Sequence, residues 1–294
     1  GENDLLEYHG NGQNELHLVF NFPLTRTRQM TPAWVRKNQK ERLSALAKIS
    51  PDAWACNTLG NHDAPRMYNA FGDGVHNAEL ARLNLALMLT LRGTPFLYNG
   101  EEIGMTDYYL KDIAQFRDYP AVWQYNTMIK ELGIPEDMAL QEAAKSSRDK
   151  NRTPMQWCNA PNAGFSPANV TTWLPVNPNY AEGINVESQQ SDPESLLNFY
   201  KKMLRLRKST PALIEGDYIP LKEKSRNYLA FLRKGQTQTC LVLLNYSDKK
   251  LRIDFHELGS KLQILFTNRD RSRKSNLLEK LEIDPYEIFI AELH

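Results

Sequence analysis

The stretch TLGNHDAPR, residues 58–66, sets an amide, an imidazole and a carboxylate side by side as Asn61, His62 and Asp63. Gly60 precedes the trio and Pro65 follows it, so the backbone is punctuated on both sides. Asparagine and histidine supply hydrogen-bond donors, and aspartate an acceptor, of the kind that vicinal hydroxyls need. A carboxylate so placed can also stabilise positive charge developing on a sugar carbon. The plain alternative is a polar turn that ends a strand. Asn21 follows another apolar run, and Tyr98 with Glu101 and Glu102 follows a third.

Hydrophobic spacing shows what must position these groups. ELHLVFNF (15–22) and AWACNTL (53–59) read as strands, and TPFLYNGEEIG reads as a strand followed by a glycine-marked loop. Between them lie two helices. The first spans 31–49, with Thr31 as cap, Pro32 in the first turn, and Leu43, Leu46 and Ile49 on one face. The second spans 77–93, with Asn77 as N-cap, Leu80, Leu83, Leu87 and Leu91 in one stripe, and Gly93 at its end. Alternation of strand and helix implies parallel strands joined by crossovers. In a parallel α/β barrel functional side chains gather at the C-terminal ends of strands, where all three polar groups fall.

Residues 106–190 are rich in Pro, Asn, Ser and aromatics and read as a long functional loop region. A helix over 191–209 follows, with Asp192 as cap and Pro193 at its start. Five short strands then recur at roughly ten-residue intervals: YLAFLRK, TCLVLLNYS, LRIDFHE, LQILFTN and LEIDPYEIFIAEL. That spacing is the signature of an all-β sandwich, and the boundary falls near residue 210.

Composition narrows the partners. Lysine plus arginine (36) balances aspartate plus glutamate (35), which gives no electrostatic reason to expect nucleic acid or an anionic membrane. With 41% hydrophobic residues the chain can build a real core. Cys56, Cys158 and Cys240 are widely separated with no CxxC, so neither a disulfide framework nor a metal site is expected, and a reducing, cytoplasmic setting is favoured. No stretch reaches eighteen consecutive apolar residues. The chain opens at GENDLLEYHG without an initiator methionine, so an upstream part carrying any targeting signal is expected.

Three segments in order, NTLGNHDAPR, LTLRGTPFLYNGEEIGM and SRDKNRTPMQWCNAPNAGFS, resemble the second half of glycoside hydrolase family 13, in its oligo-1,6-glucosidase and α-glucosidase (maltase) group. The resemblance implies an α/β fold: the C-terminal portion of a TIM (β/α)8 barrel over 1–209, then a β-sandwich domain over 210–294. It implies that Asp63 is the third catalytic carboxylate, with His62 binding a hydroxyl beside it and Arg148 reaching the same sugar. The three are expected to share one cleft. Arg152 and Trp157 would hold their loop in shape, and Glu101 and Glu102 would be structural or rim groups. The implied activity is retaining hydrolysis of short α-linked glucosides, with oligosaccharides or disaccharides as substrate and no cofactor. A transglycosylase or isomerase of the same family (trehalose synthase or sucrose isomerase type) and a non-catalytic transporter heavy-subunit-like protein are the alternatives.

Two departures from the family pattern stand out. Cys158 replaces the acidic residue that usually follows RTPMQW, and the GFRxD segment that carries the family nucleophile is absent. Glu2, in GEN, is a candidate for the general acid, although its spacing to YHG is short; the alternative is a solvated terminal residue. A retaining mechanism needs nucleophile and acid roughly 5 Å apart. By itself the chain is therefore expected to be an inactive fragment, self-associating through barrel edges near 16–22 and 95–99.

Overall fold

The computed structural model describes residues 7–9, 14–50, 53–259, 261–272, 274 and 277–294. The chain divides into two compact units: 1–59, 73–96 and 200–294 form one, 60–72 and 97–199 the other.

In the first unit, helix α1 (Pro32–Ile49) begins as its residues dictate. Thr31 Oγ1 accepts the Trp34 N–H at 3.2 Å and Pro32 occupies the first turn, where no N–H is needed. Its apolar face buries Ala45 and Leu46 against Ala55, with Leu43 and Ile49 partly covered. Strand β1 (Cys56–Thr58) lies parallel to β2 (Thr94–Phe96), in the register Cys56 to Thr94. Helix α2 (Asn77–Thr90) comes between them in the chain, as a parallel pair requires. It is buried almost all round, from Leu80 to Thr90, which is why its leucines extend beyond one stripe. Gly93 has φ +127° and sits so close to Ala55 that a Cβ would come within 2.7 Å of the Ala55 carbonyl oxygen.

The strand expected over 15–22 shrinks to one parallel bridge, Phe20 to Cys56. The Asn21 side chain is buried and donates to Asn38 Oδ1 at 2.9 Å, and Pro23 then starts the helical turn Phe22–Thr25. A buried polar anchor and a proline end the extended run. The cap of α2 also differs: His76 takes the N-cap position, while Asn77 Oδ1 accepts the Gly74 N–H at 2.8 Å.

The C-terminal segment of this unit folds as two sheets. Strands β3 (Asp217–Leu221), β4 (Tyr228–Lys234), β5 (Thr239–Asn245), β7 (Leu262–Thr267) and β9 (Ile288–Leu293) form an antiparallel sheet ordered β3-β4-β5-β9-β7. Strands β6 (Leu251–Ile253) and β8 (Leu281–Ile283) form a second, two-stranded sheet. Leu241, Leu243, Phe289 and Ala291 of the first pack with Ile253, Phe255, Leu281 and Ile283 in one core. Strand β3 was not anticipated, and LEIDPYEIFIAEL breaks into β8 and β9 at Tyr286, whose φ is +53°. Arg233 on β4 is fully buried and donates to the carbonyls of Thr90, Leu213 and Gly216 at 2.5, 2.9 and 2.7 Å.

The second unit corrects the reading of 106–190 as loop. Helices α3 (Tyr119–Lys130) and α4 (Glu136–Ser146) pack around Ala121, Tyr125, Ala139 and Ala143. Small alanines rather than a leucine stripe make that contact, which hides the pair from a search for hydrophobic periodicity. A short helix α5 (Val186–Ser191) follows, capped by Asn185 Oδ1, which accepts the Ser188 N–H at 2.8 Å. Asp192 ends α5 instead of opening the next helix, α6 (Leu196–Ser209).

Candidate active site

The second unit carries the NHD turn. Asn61 Oδ1 accepts the Asp63 N–H at 2.7 Å, the self-bonding that makes asparagine a turn former. Asp63 Oδ1 receives two arginines, Arg152 Nη2 at 2.6 Å and Arg148 Nη1 at 3.2 Å. His62 Nε2 lies 3.5 Å from Asp63 Oδ2. The three residues expected together, Asp63, His62 and Arg148, are therefore in one cluster.

Arg148 is itself held. Asp118 Oδ1 accepts Arg148 Nη2 at 2.6 Å and Nε at 3.1 Å, and Asp118 Oδ2 accepts the Arg148 backbone N–H at 2.8 Å. The Asp118 side chain is only 3% exposed, so this forked pairing is a sheltered one. Asp149, also buried, accepts the N–H groups of Arg117 and Asp118 through Oδ2 at 2.7 and 2.8 Å and so fixes the start of α3. From the same loop Asn151 Nδ2 donates to the Asn61 carbonyl at 3.0 Å, and Arg152 Nε to the His62 carbonyl at 2.7 Å. The SRDKNR segment thus grips the NHD turn through backbone and side chain together.

The charges reinforce one another. Partial desolvation pushes the Asp63 carboxyl up, but His62 and the hydrogen bonds from Arg148 and Arg152 outweigh it and hold the group below the usual carboxylate range. Hydrogen bonding from Arg148 lowers Asp118 likewise, and Asp118 in return raises Arg148. At neutral pH the site holds two carboxylates and two guanidiniums, with Asp63 Oδ1 saturated and Oδ2 turned to His62. Such a group can anchor sugar hydroxyls and oppose positive charge at a neighbouring carbon.

Other expectations fared differently. The Asp63 and His62 side chains are 52% and 67% exposed, and Asp63 is the member of the trio that contacts both of the others. Arg152, expected only to shape its loop, touches Asp63 more closely than Arg148 does. Asn21 belongs to the other unit and is buried with Asn38. Glu102 Oε2 accepts the Gly100 N–H at 2.7 Å, a structural use. Glu2 lies outside the described residues. Asp118 and Asp149 were missed, because RDYP shows only a helix start and RD only an acid beside a base. Trp157 is half exposed, and the backbone N–H groups of Trp157 and Cys158 both donate to the Ala163 carbonyl. Among the described residues Asp254, His256 and Glu257 bring carboxylate and imidazole atoms within 4.8 Å of one another, all exposed. Glu257 there pairs with Lys222 at 2.7 Å and His256 with Asp254 at 3.0 Å, so the trio is occupied with ion pairs.

A parallel β-α-β unit, a carboxylate turn that follows its first strand in sequence, and an antiparallel β segment make the chain a partial α/β fold with a C-terminal antiparallel β region. A trehalulose synthase variant in complex with Tris superposes with TM-score 0.84 at 28% identity, covering 100% of this chain and 54% of that one. The trehalose-6-phosphate hydrolase of Bacillus licheniformis gives TM-score 0.82 at 30% identity and the same coverage. The family described as "Alpha amylase, catalytic domain" matches residues 1–216. The chain belongs to that family, the α-amylase family of glycoside hydrolases (family 13). It is 32% identical over 264 residues to an oligo-1,6-glucosidase of Parageobacillus thermoglucosidasius, covering 88% of this chain and 46% of the relative. It is 34% identical over 245 residues to a glucan 1,6-alpha-glucosidase of Streptococcus dysgalactiae subsp. equisimilis, covering 82% and 44%. The chain spans about half the length of the curated relatives it matches.

Proposed function

We propose that this chain carries the charge-stabilising and sugar-clamping part of a retaining α-glucosidase that acts on short α-linked glucosides. The observation that carries the reading is the Asp63 carboxylate, gripped by Arg148 and Arg152 while Arg148 is braced by the sheltered Asp118. Asp63 binds hydroxyls of the glucosyl residue and strengthens its hold as the anomeric carbon becomes oxocarbenium-like. His62 donates to a hydroxyl beside it. Arg148, braced by Asp118, keeps the carboxylate oriented and reaches the same sugar, while Arg152 grips Asp63 and the His62 carbonyl from the same loop. No GFRxD segment occurs in the 294 residues, so the nucleophile comes from elsewhere in the complete enzyme, and Glu2, the general-acid candidate, lies outside the described residues. We assign 1–209 to the barrel and 210–294 to the β-sandwich domain.

A transglycosylating or isomerising reaction is the second reading, favoured by the high TM-score to a trehalulose synthase. It uses the same Asp63 chemistry and differs in which acceptor reaches the intermediate. We also infer that the chain self-associates where exposed Phe20 stacks on Phe22 and meets the ring of Phe96, at the end of β2, edge-on.

Turnover tests the catalytic role. With the nucleophile-bearing half of an oligo-1,6-glucosidase supplied to complete the barrel, hydrolysis of a p-nitrophenyl α-glucoside should appear. Asp63→Asn should lower kcat by orders of magnitude with a much smaller change in KM. Near-normal kcat in that variant would remove Asp63 from the chemistry.

A further inference from the structure

Glu101 is a carboxyl that the site's chemistry leaves unused, and its surroundings demand an explanation. It is 2% exposed, at the head of the 3-10 turn Glu101–Ile103. Its Oε2 accepts the Tyr98 N–H at 3.1 Å, while the buried Oε1 has no hydrogen-bond partner. That unpartnered oxygen faces Gly60: a Cβ built there would stand 2.3 Å from it, closer than real side chains come. Gly60 does not have a positive φ, so glycine is there for room and not for backbone freedom. The next residues are Asn61, His62 and Asp63. Tyr98 reaches the same turn from another side: its hydroxyl donates to the Asn151 carbonyl at 3.1 Å, and Asn151 Nδ2 holds the Asn61 carbonyl at 3.0 Å.

We propose that Glu101 is a positioning residue for Asp63: packed on Gly60 and linked through Tyr98 and Asn151 to Asn61, its carboxyl fixes the turn that presents the catalytic carboxylate. The role rests on the reading of Asp63 given above, but the placement of the turn can be measured without activity. Burial, the largest influence, pushes Glu101 up to about 8; the Tyr98 N–H and Arg66 oppose this, and Glu102 adds to it. Arg66, 1% exposed and 5.1 Å from the Tyr98 ring centroid, is the cation facing it; Asp107 accepts the Arg66 backbone N–H on the far side. At neutral pH Glu101 is therefore a neutral acid. Its ionisation sets a charge, without a hydrogen-bond donor on Oε1, against the backbone of Gly60. The turn must then shift or admit water, and Asp63 shifts with it. A carboxyl that served Tyr98 alone would leave residues 60–63 indifferent to its charge.

The test is an amide-resolved NMR titration of the chain from pH 6 to about pH 10, spanning the raised value. The amides of Gly60 to Asp63 should shift together with a midpoint near 8 in the wild type. Glu101→Gln, which keeps the shape and removes the proton, should abolish that transition. Asp63→Asn should keep it, so a failure of the catalytic reading leaves this result standing. Absence of the transition, or its persistence in Glu101→Gln, overturns the proposal. Should Glu101→Gln not fold, infrared spectroscopy of the wild type decides: the band of a protonated buried carboxyl must vanish with the same midpoint as the amide shifts, and a different midpoint contradicts the role.

Discussion

The site is built at the scale of single residues from paired charges, and its strength lies behind Asp63, in the partner that braces Arg148. Asp118 holds Arg148 by a fork of hydrogen bonds from a side chain almost out of solvent. Asp118→Ala should leave Arg148 unbraced and cost about 2 kcal/mol, the order expected for hydrogen bonds to a charged group, measurable by urea unfolding. Asp118 has a folded-state pKa below its unfolded value, so its stabilisation is present above the ordinary carboxylate range and is lost as pH falls through the lowered value. Wild type and Asp118→Asn should thus converge in stability under acid. Glu101 has the opposite sign: its folded value is raised to about 8, so the stability tied to it is full in acid and lost as pH rises toward that value. Glu101→Gln should unfold at nearly the wild-type temperature at pH 5 and at a higher temperature at pH 8, read by thermal melts. The closeness of Asp63, His62 and Arg148 was legible, the first two from residue type and spacing and Arg148 from the resemblance of its loop. Asp118 and the grip of Arg152 on Asp63 were not, since a supporting partner is fixed by the fold and leaves no spacing in the chain.

At the scale of elements, local signals worked where one residue decides an end. Thr31 and Pro32 mark the start of α1, and Thr31→Ala should cost about 1 kcal/mol in chemical denaturation, the usual worth of such a cap. Equal midpoints and slopes for the two proteins would show that the cap contributes nothing. Gly93 ends the crossover in a conformation at φ +127° against Ala55, so Gly93→Ala should destabilise β1 and β2 by more than the cap variant does. Strands YLAFLRK and LQILFTN were readable from the turn residues that space them at roughly ten-residue intervals and stand as β4 and β7. The strand expected at 15–22 stops at a single bridge because Asn21, in the same apolar run, turns its amide into a buried hydrogen bond with Asn38. Helices α3 and α4 were invisible for the converse reason: their most buried positions are mostly alanines, with Tyr125, amid exposed aromatics such as Tyr119 and Trp123.

On the scale of the whole chain, continuity in sequence is not continuity in structure. One compact unit gathers three separate stretches, and the NHD turn begins the other. Buried Arg233 shows how the β segment is tied to the rest of its own unit: burial pushes its guanidinium down, and backbone carbonyls of α2 and of residues 213–216 take the place of a counter-ion. Arg233→Leu would leave those carbonyls unpaired and should cost about 3 kcal/mol or more, by the penalty for orphaned buried acceptors. The exposed ring cluster of Phe20, Phe22 and Phe96 leads us to expect a dimer or larger species in light scattering at tens of micromolar, reduced by Phe20→Ser. A monomer at that concentration would contradict the inferred self-association.

The central claim, that Asp63 meets positive charge on a bound glucosyl residue, is tested most directly by calorimetric binding of two glucose-shaped ligands to the completed barrel. One is a basic iminosugar whose ring ammonium mimics the charge of the transition state, the other is neutral glucose. The account predicts that Asp63→Asn weakens the iminosugar at least about tenfold more than it weakens glucose, a difference of about 1.4 kcal/mol. Equal loss for both ligands, or no loss for either, would contradict it.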